Sequence, residues 1–399
     1  MNTQQKSWLL ATPNLHSVKD ADFPKELDVV LVTHPRDEKD LSRAIPWIDK
    51  LTLEERQSLL TFIKPIFGEV IKTEKINIGI LFLPAVAEKM MNPSTRGDVR
   101  KLLQKDGLDV LASAKTKLLC LGGLTGSLTK YGKALKKFAD VNNIKITTGH
   151  ALTGISVHRA YMRAVQELEL NMAEEGVTVL GVGSVGTSFS RLLAHKGPKP
   201  KSLVLIDREN RKEDLEIFAE ELKAIGNFEI EIETTEADGN LKKNSLLYNS
   251  RVIISAVSSA NVIDISSLPP NKVLIDDSQP YCWSREEAWK RCQTQKDIVP
   301  CEAGLIDCSS IGYNSHFPFD FANHDENGTN IAWCCMAEGL LYHLDGNLPT
   351  TAGMPSLEQI LLYDQAFDKF GLGCPPLQCS RHVLPIEELK ANFYKELAY

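Results

Sequence analysis

The sequence predicts an α/β protein: an amino-terminal α/β domain, then a doubly wound parallel-sheet domain, then a helical carboxy-terminal segment. Three observations carry that expectation. Short β-rich runs alternate with amphipathic helical ones over most of the chain, a glycine turn joins an apolar strand to a helix near residue 181, and the residues from about 330 onward read mainly as helix. The boundaries are set at 1–150, 151–329 and 330–399.

In the first block, "DVVLVTHP" (28–35) and "NIGILFLP" (77–84) are β-rich runs ending at proline. "TLEERQSLLTFIKPIF" (52–67) and "RGDVRKLLQKDGLDVLASA" (96–114) space their apolar residues three and four apart, which is a helix period. "KLLCLGGLTG" (117–126) runs from a strand into a glycine turn, "LTKYGKALKKFADVN" (128–142) is helical, and "IKITTG" (144–149) is a strand. The long pattern "SVHRAYMRAVQELELNMAEEG" closes at Gly176. Strands "KSLVLID" (201–207), "FEIEIETT" (228–235), "RVIISAV" (251–257) and "KVLIDD" (272–277) come next, with helical "KEDLEIFAEELKAIG" (212–226) among them. Successive βαβ units imply a mostly parallel sheet covered by helices.

A chain of 399 residues with 43% hydrophobic and 24% charged residues can bury more than one core. Its net charge of -7 argues against general nucleic-acid binding, which needs a basic field. No apolar run approaches the roughly 20 residues of a membrane span, and "MNTQQKSWLLATP" lacks the pattern of a secretory leader, so a cytoplasmic chain is expected. The nine cysteines are scattered and include no C-x-x-C pair, so neither a disulfide framework nor a metal site is expected.

"VTVLGVGSVGTSFSRLL" holds Gly181, Gly183 and Gly186 in G-x-G-x-x-G spacing between strand and helix. The first glycine permits the turn, the second lets a pyrophosphate approach backbone, and the third lets helix pack on strand. The next strand ends at Asp207, placed to accept hydrogen bonds from an adenosine ribose. A Rossmann-type dinucleotide site is therefore expected at Gly181, Gly183, Ser184, Val185, Gly186, Asp207 and Arg208. Ala256, Val257 and Ser258, the small-residue end of a later strand, are expected at its nicotinamide end. Asp207 would repel a ribose 2′-phosphate and favours NAD(H); Arg208, Arg211 and Lys212 are the residues through which NADP(H) is the alternative.

Within "NIAWCCMAEGLLYHLDG" (330–346) two adjacent cysteines open a helical run. A cysteine in a nicotinamide enzyme suits acyl chemistry, because a thiolate exchanges thioester for thioester at little cost. Core packing is the ordinary alternative for a cysteine on a buried helix. Adjacent helical positions point about 100° apart, so only one of Cys334 and Cys335 is expected to meet a substrate.

"LGGLTG" (121–126), "ITTGHALTG" (146–154), the glycine turn, "VLIDDSQP" (273–280) and "CMAEGLLYHLDG" (335–346) resemble, in order and approximate spacing, the long-chain acyl-ACP reductases of cyanobacteria. The resemblance spans roughly 117–346 and is most specific at GG-x-T, TTG and C-x-A-E. It implies aldehyde formation from an acyl-ACP or acyl-CoA through an acylated cysteine at Cys335, with Glu338 the matching carboxylate. Glu338 shares a helical face with Cys335 and suits either a base or orienter of the thiol, or satisfaction of buried backbone. Gly339, a turn above, leaves room for an acyl chain or the nicotinamide, or for a close helix crossing. The complete G-x-G-x-x-G with Asp207 departs from the family's NADPH-type pattern. His150 stands where the family has asparagine, suited to polarise an acyl carbonyl, to hydrogen-bond the cofactor, or to sit at the surface or cap a helix.

Lys130, Lys133, Lys136 and Lys137 lie at helical spacing, either a solvated face or a dock for an acidic acyl carrier protein. Association as a homo-oligomer is left open. The rival enzymatic expectation is an NAD(P)-dependent dehydrogenase of a small alcohol or keto acid without covalent catalysis; a dinucleotide-sensing protein is a third.

Overall fold

The computed structural model describes residues 23–35, 42, 46–52, 54–56, 63–73, 75–316 and 328–393. They form two compact units: one takes the described residues within 1–149, 308–319 and 324–354, the other those within 150–307 and 355–399. The carboxy-terminal segment is thus divided between the units instead of standing as a third piece.

The first unit carries a five-stranded sheet in the order β2-β3-β1-β4-β5, where β1 is Val29–Thr33, β2 Ile66–Lys72, β3 Asn77–Phe82, β4 Leu118–Leu121 and β5 Lys145–Thr147. β3, β1, β4 and β5 run parallel, while β2 pairs antiparallel along the edge of β3 with a bulge between Phe67 and Glu69. β1 and β4 are buried at every position, the unbroken apolar pattern of strands covered on both faces. Val30, Val32, Leu81, Leu119 and Leu121 pack with Leu103 and Leu111 on one side. The helix Cys334–Asp345 packs against β1 and β4.

β2 corrects the helical reading of residues 52–67. Within that stretch residues 54–56 are helical and 57–62 lie outside the described residues, whereas Ile66 and Phe67 already pair with Phe82 and Leu81. Pro65 cannot continue a helical hydrogen-bond ladder, and pairing with a distant strand makes the residues after it extended.

The second unit is a six-stranded, wholly parallel sheet in the order β11-β10-β9-β6-β7-β8. Its strands are β6 Gly176–Leu180, β7 Ser202–Asp207, β8 Glu229–Thr234, β9 Val252–Ser255, β10 Lys272–Asp276 and β11 Ile298–Glu302. The order reverses at β6, between β7 and β9, which is the Rossmann plan with its ligand crevice at the carboxyl ends of the strands. Helices His150–Glu167 and Ser184–His195 cross closely, since a Cβ on Gly154 would lie 2.3 Å from that of Ser188. The first of these begins at His150 and ends at Glu167, so Gly176 opens β6 instead of closing a helix. No helix among the described residues is long and apolar enough to cross a membrane.

Candidate functional site

At the carboxyl end of β6 two glycines of the turn have steric causes and the third does not. Gly181 has φ +90°, and a Cβ there would lie 2.5 Å from the Ala256 carbonyl oxygen. At Gly186 a Cβ would lie 2.2 Å from the Gly181 carbonyl oxygen, so this glycine lets the helix Ser184–His195 close on the turn. Gly183 is different: a Cβ would meet nothing within 4 Å. It stands as N-cap without a side-chain cap, leaving the first-turn N–H groups of Ser184 and Val185 to an external anion.

Asp207 completes this group. Its Oδ2 accepts from the Val182 N–H at 3.0 Å and its Oδ1 from the Arg208 N–H at 2.8 Å, which holds the carboxylate beside the turn. The Arg208 side chain is exposed. Arg211 is engaged by Asp214 at 2.6 Å. Ala256 and Val257 are half-buried and Ser258 is exposed, so β9 leads out toward solvent next to Gly181. These residues fit a dinucleotide: open space at the position where a phosphate must approach, unspent helix-end donors, and an oriented carboxylate at the end of the second strand.

In the first unit, Cys335 sits where β4 and β5 end. A Cβ on Gly122, just past β4, would lie 3.2 Å from Cys335 Sγ. Gly149, just past β5, has φ +75°, and a Cβ there would fall 2.4 Å from Cys335 Cα. Glycines of the GG-x-T and TTG segments therefore both admit Cys335. The sulfur is half-buried while Cys334 is buried, as their angular offset requires. Cys335 is the second residue of a helix whose N-cap, Trp333, gives no side-chain cap.

Glu338 is fully buried, and its Oε1 accepts from the Gly149 N–H at 3.1 Å and from the Thr147 and Thr351 hydroxyls. Thr148 donates to the Thr351 carbonyl at 2.6 Å. The carboxylate thus ties the Thr147–Gly149 turn to the helix bearing Cys335. Gly339 faces the sheet: a Cβ there would lie 2.3 Å from Cys120 Sγ and 2.9 Å from Val29 Cγ1. The space expected for an acyl chain or nicotinamide at Gly339 is filled by β1 and β4. Burial, with the nearby Cys335 and Glu338, pushes the Cys120 thiol well up and keeps it protonated.

His34, past the end of β1, escaped sequence reasoning. Its Nε2 accepts from the Leu124 N–H at 3.1 Å and its Nδ1 lies 2.8 Å from the Pro35 carbonyl, so a neutral ring braces the loop carrying Gly122. Thr351 was missed too, in a segment with no motif. His150 opens a helix of the second unit and is half-buried. Lys130, Lys133, Lys136 and Lys137 are all exposed but do not share the one helix expected over 128–142. Lys130 and Tyr131 have positive φ, Lys133 opens the 3-10 turn Lys133–Leu135, and only Lys136 and Lys137 lie in the helix Lys136–Asn142, with Lys136 3.4 Å from Asp140.

No protein-family model and no curated protein matches the chain. Among solved structures it is similar to one of the subunits of dipicolinate synthase from Bacillus halodurans, at 16% identity and TM-score 0.31 over 67% of this chain and 88% of that one. It is also similar to shikimate 5-dehydrogenase from Listeria monocytogenes, in complex with shikimate and NAD, at 12% identity and TM-score 0.30 over 94% and 96%. L-tryptophan dehydrogenase from Nostoc punctiforme gives 10% identity and TM-score 0.33 over 70% and 71%. Such distant likenesses carry no functional argument, and the fold rests on the strand order itself.

Proposed function

We propose that this chain is a nicotinamide-dependent oxidoreductase that reduces an acyl thioester to an aldehyde, with Cys335 as the acyl acceptor. The observation that carries the oxidoreductase reading is the glycine turn: a position of open space at Gly183 flanked by two glycines whose missing side chains the fold demands. Gly181, Gly183, Ser184, Val185 and Gly186 would hold the pyrophosphate and Asp207 the adenosine ribose, with Ala256, Val257 and Ser258 toward the nicotinamide. The pinned Asp207 carboxylate favours NAD(H) by repelling a 2′-phosphate; the exposed Arg208 is the route to NADP(H). A reduced nicotinamide supplies a hydride to a carbonyl carbon.

For the acyl step, the Cys335 thiolate attacks the thioester carbonyl, a new carbon–sulfur bond forms, and the carrier thiolate leaves and takes up a proton. Support comes from the half-buried Cys335 at a helix start between Gly122 and Gly149, and from the resemblance at C-x-A-E. Glu338 acts here as a positioning residue. The acyl donor is an acyl carrier protein, docked on Lys130, Lys133 and Lys137, or acyl-CoA. One observation favours the rival dehydrogenase of a small alcohol or keto acid: Oε1 of Glu338 serves three donors of the Thr147–Gly149 turn and Thr351, leaving that oxygen unsuited as a base for the thiol.

The experiment is intact mass after incubation with acyl-CoA and no reduced cofactor. Acylation present in wild type and Cys334→Ala but lost in Cys335→Ala is expected. Acylation that follows Cys334, or none in wild type, overturns the covalent step and leaves the dehydrogenase.

A further inference from the structure

The stretch VLIDDSQP enters neither the glycine turn nor the cysteine cluster, yet it holds a buried carboxylate of the second unit. Asp276 ends β10 in register with Ser255, the last residue of β9, and is 2% exposed. Its Oδ1 accepts from the Ser255 hydroxyl at 2.6 Å and the Ser278 N–H at 3.0 Å, and its Oδ2 from the Cys282 N–H at 3.1 Å. Ser278 Oγ in turn accepts from the Val257 N–H at 3.0 Å. Two further bonds close the frame, Asp277 N–H to the Ser255 carbonyl at 2.8 Å and Gln279 N–H to the Val257 carbonyl at 3.2 Å. The segment held in this way, Ser255–Val257, is the one on which Gly181 rests.

The Ser255 hydroxyl and the Ser278 and Cys282 N–H groups all donate to Asp276, so the frame suits an ionised carboxylate that accepts on both oxygens. We propose that Asp276 is a positioning residue for the dinucleotide, its carboxylate holding Ser255–Val257 under the glycine turn so that cofactor affinity falls when it takes up a proton. This rests on the dinucleotide reading above. Burial pushes the Asp276 carboxyl up to about 6 against the pull of these donors, so the transition falls in mildly acid solution. The titratable neighbours are Asp277 and the Cys282 thiol, both raised by burial and by the charge on Asp276. On β11 its register partner Glu302 is paired with Arg285 at 3.2 Å.

The test is calorimetric titration of the whole chain with NAD+, whose own groups do not titrate in the window used. Wild-type Kd is expected to rise about fivefold between about pH 7.5 and about pH 5, the scale of one ordinary hydrogen bond. Asp276→Asn, which cannot accept on both sides, should bind at the weak level throughout with a flat profile. Ser278→Ala keeps the carboxylate but cuts the link to Val257; it should bind weakly throughout and lose most of the pH dependence, and it serves if the Asn variant does not fold. A flat wild-type profile, or variants that keep the wild-type profile, overturns the role of Asp276 while leaving the dinucleotide site. Absence of NAD+ binding by wild type at every pH overturns both.

Discussion

Replacing Gly149 by alanine puts the proposed thiol site under the most direct stress. The new Cβ falls 2.4 Å from Cys335 Cα and 2.5 Å from Cys335 Cβ, on a backbone with φ +75°. The left-handed conformation alone costs a residue with a side chain about 1–2 kcal/mol. Overpacking against helix backbone, which yields less than a flexible side-chain end, adds about 1–3 kcal/mol. The expected loss is therefore about 2–5 kcal/mol in urea unfolding. Relief comes only by moving the helix start away from the turn, which would also break the 3.1 Å bond from Gly149 N–H to Glu338. Alkylation of Cys335, followed by peptide mass at a fixed pH below the thiol's transition, should therefore change in rate along with stability. A Gly149→Ala protein that unfolds within about 0.5 kcal/mol of wild type, as ordinary surface substitutions do, and alkylates at the same rate would refute the steric account.

Gly183→Val supplies the contrast. A Cβ at this position meets nothing within 4 Å and the backbone is extended, so unfolding should change little while NAD(H) affinity drops at least about tenfold, as read by fluorescence titration. His158 predicts an acid limb of stability. Burial, with the nearby Lys196 charge, pushes its ring down to about 4, so the folded state refuses a proton that the unfolded chain takes up near 6.5. Stability is fully present above that pH and is lost as pH falls toward 4, by about 1.4 kcal/mol per pH unit at most. Urea unfolding of His158→Phe should show a correspondingly shallower decline between about pH 6.5 and about pH 4.5; an identical slope would rule out this origin.

The parts of this protein legible in its sequence are those set by neighbours in the chain. The Rossmann turn is local: Gly181, Gly186 and the helix from Ser184 meet within a few residues, and β6 and β7 declare themselves by buried apolar runs. Spacing alone therefore specified the turn and the strand ending at Asp207. The π-like wider turn at Leu103–Gly107 within an expected helix and the early start at His150 shifted boundaries without changing the elements.

Contacts between distant residues were decided by tertiary structure. Glu338 reads equally as a base or as a satisfied buried group until Thr147, 191 residues away, is seen to donate to it. Gly339 reads as open space until Cys120 is found against it, and residues 66–67 read as helix until β3 pairs with them. His34 carries no motif, and the long-range partner of its ring, the Leu124 N–H, comes from 90 residues away. A sequence period reports which face of an element is apolar; what covers that face, and whether a missing side chain makes room for a ligand or for another strand, depends on packing that no local pattern encodes.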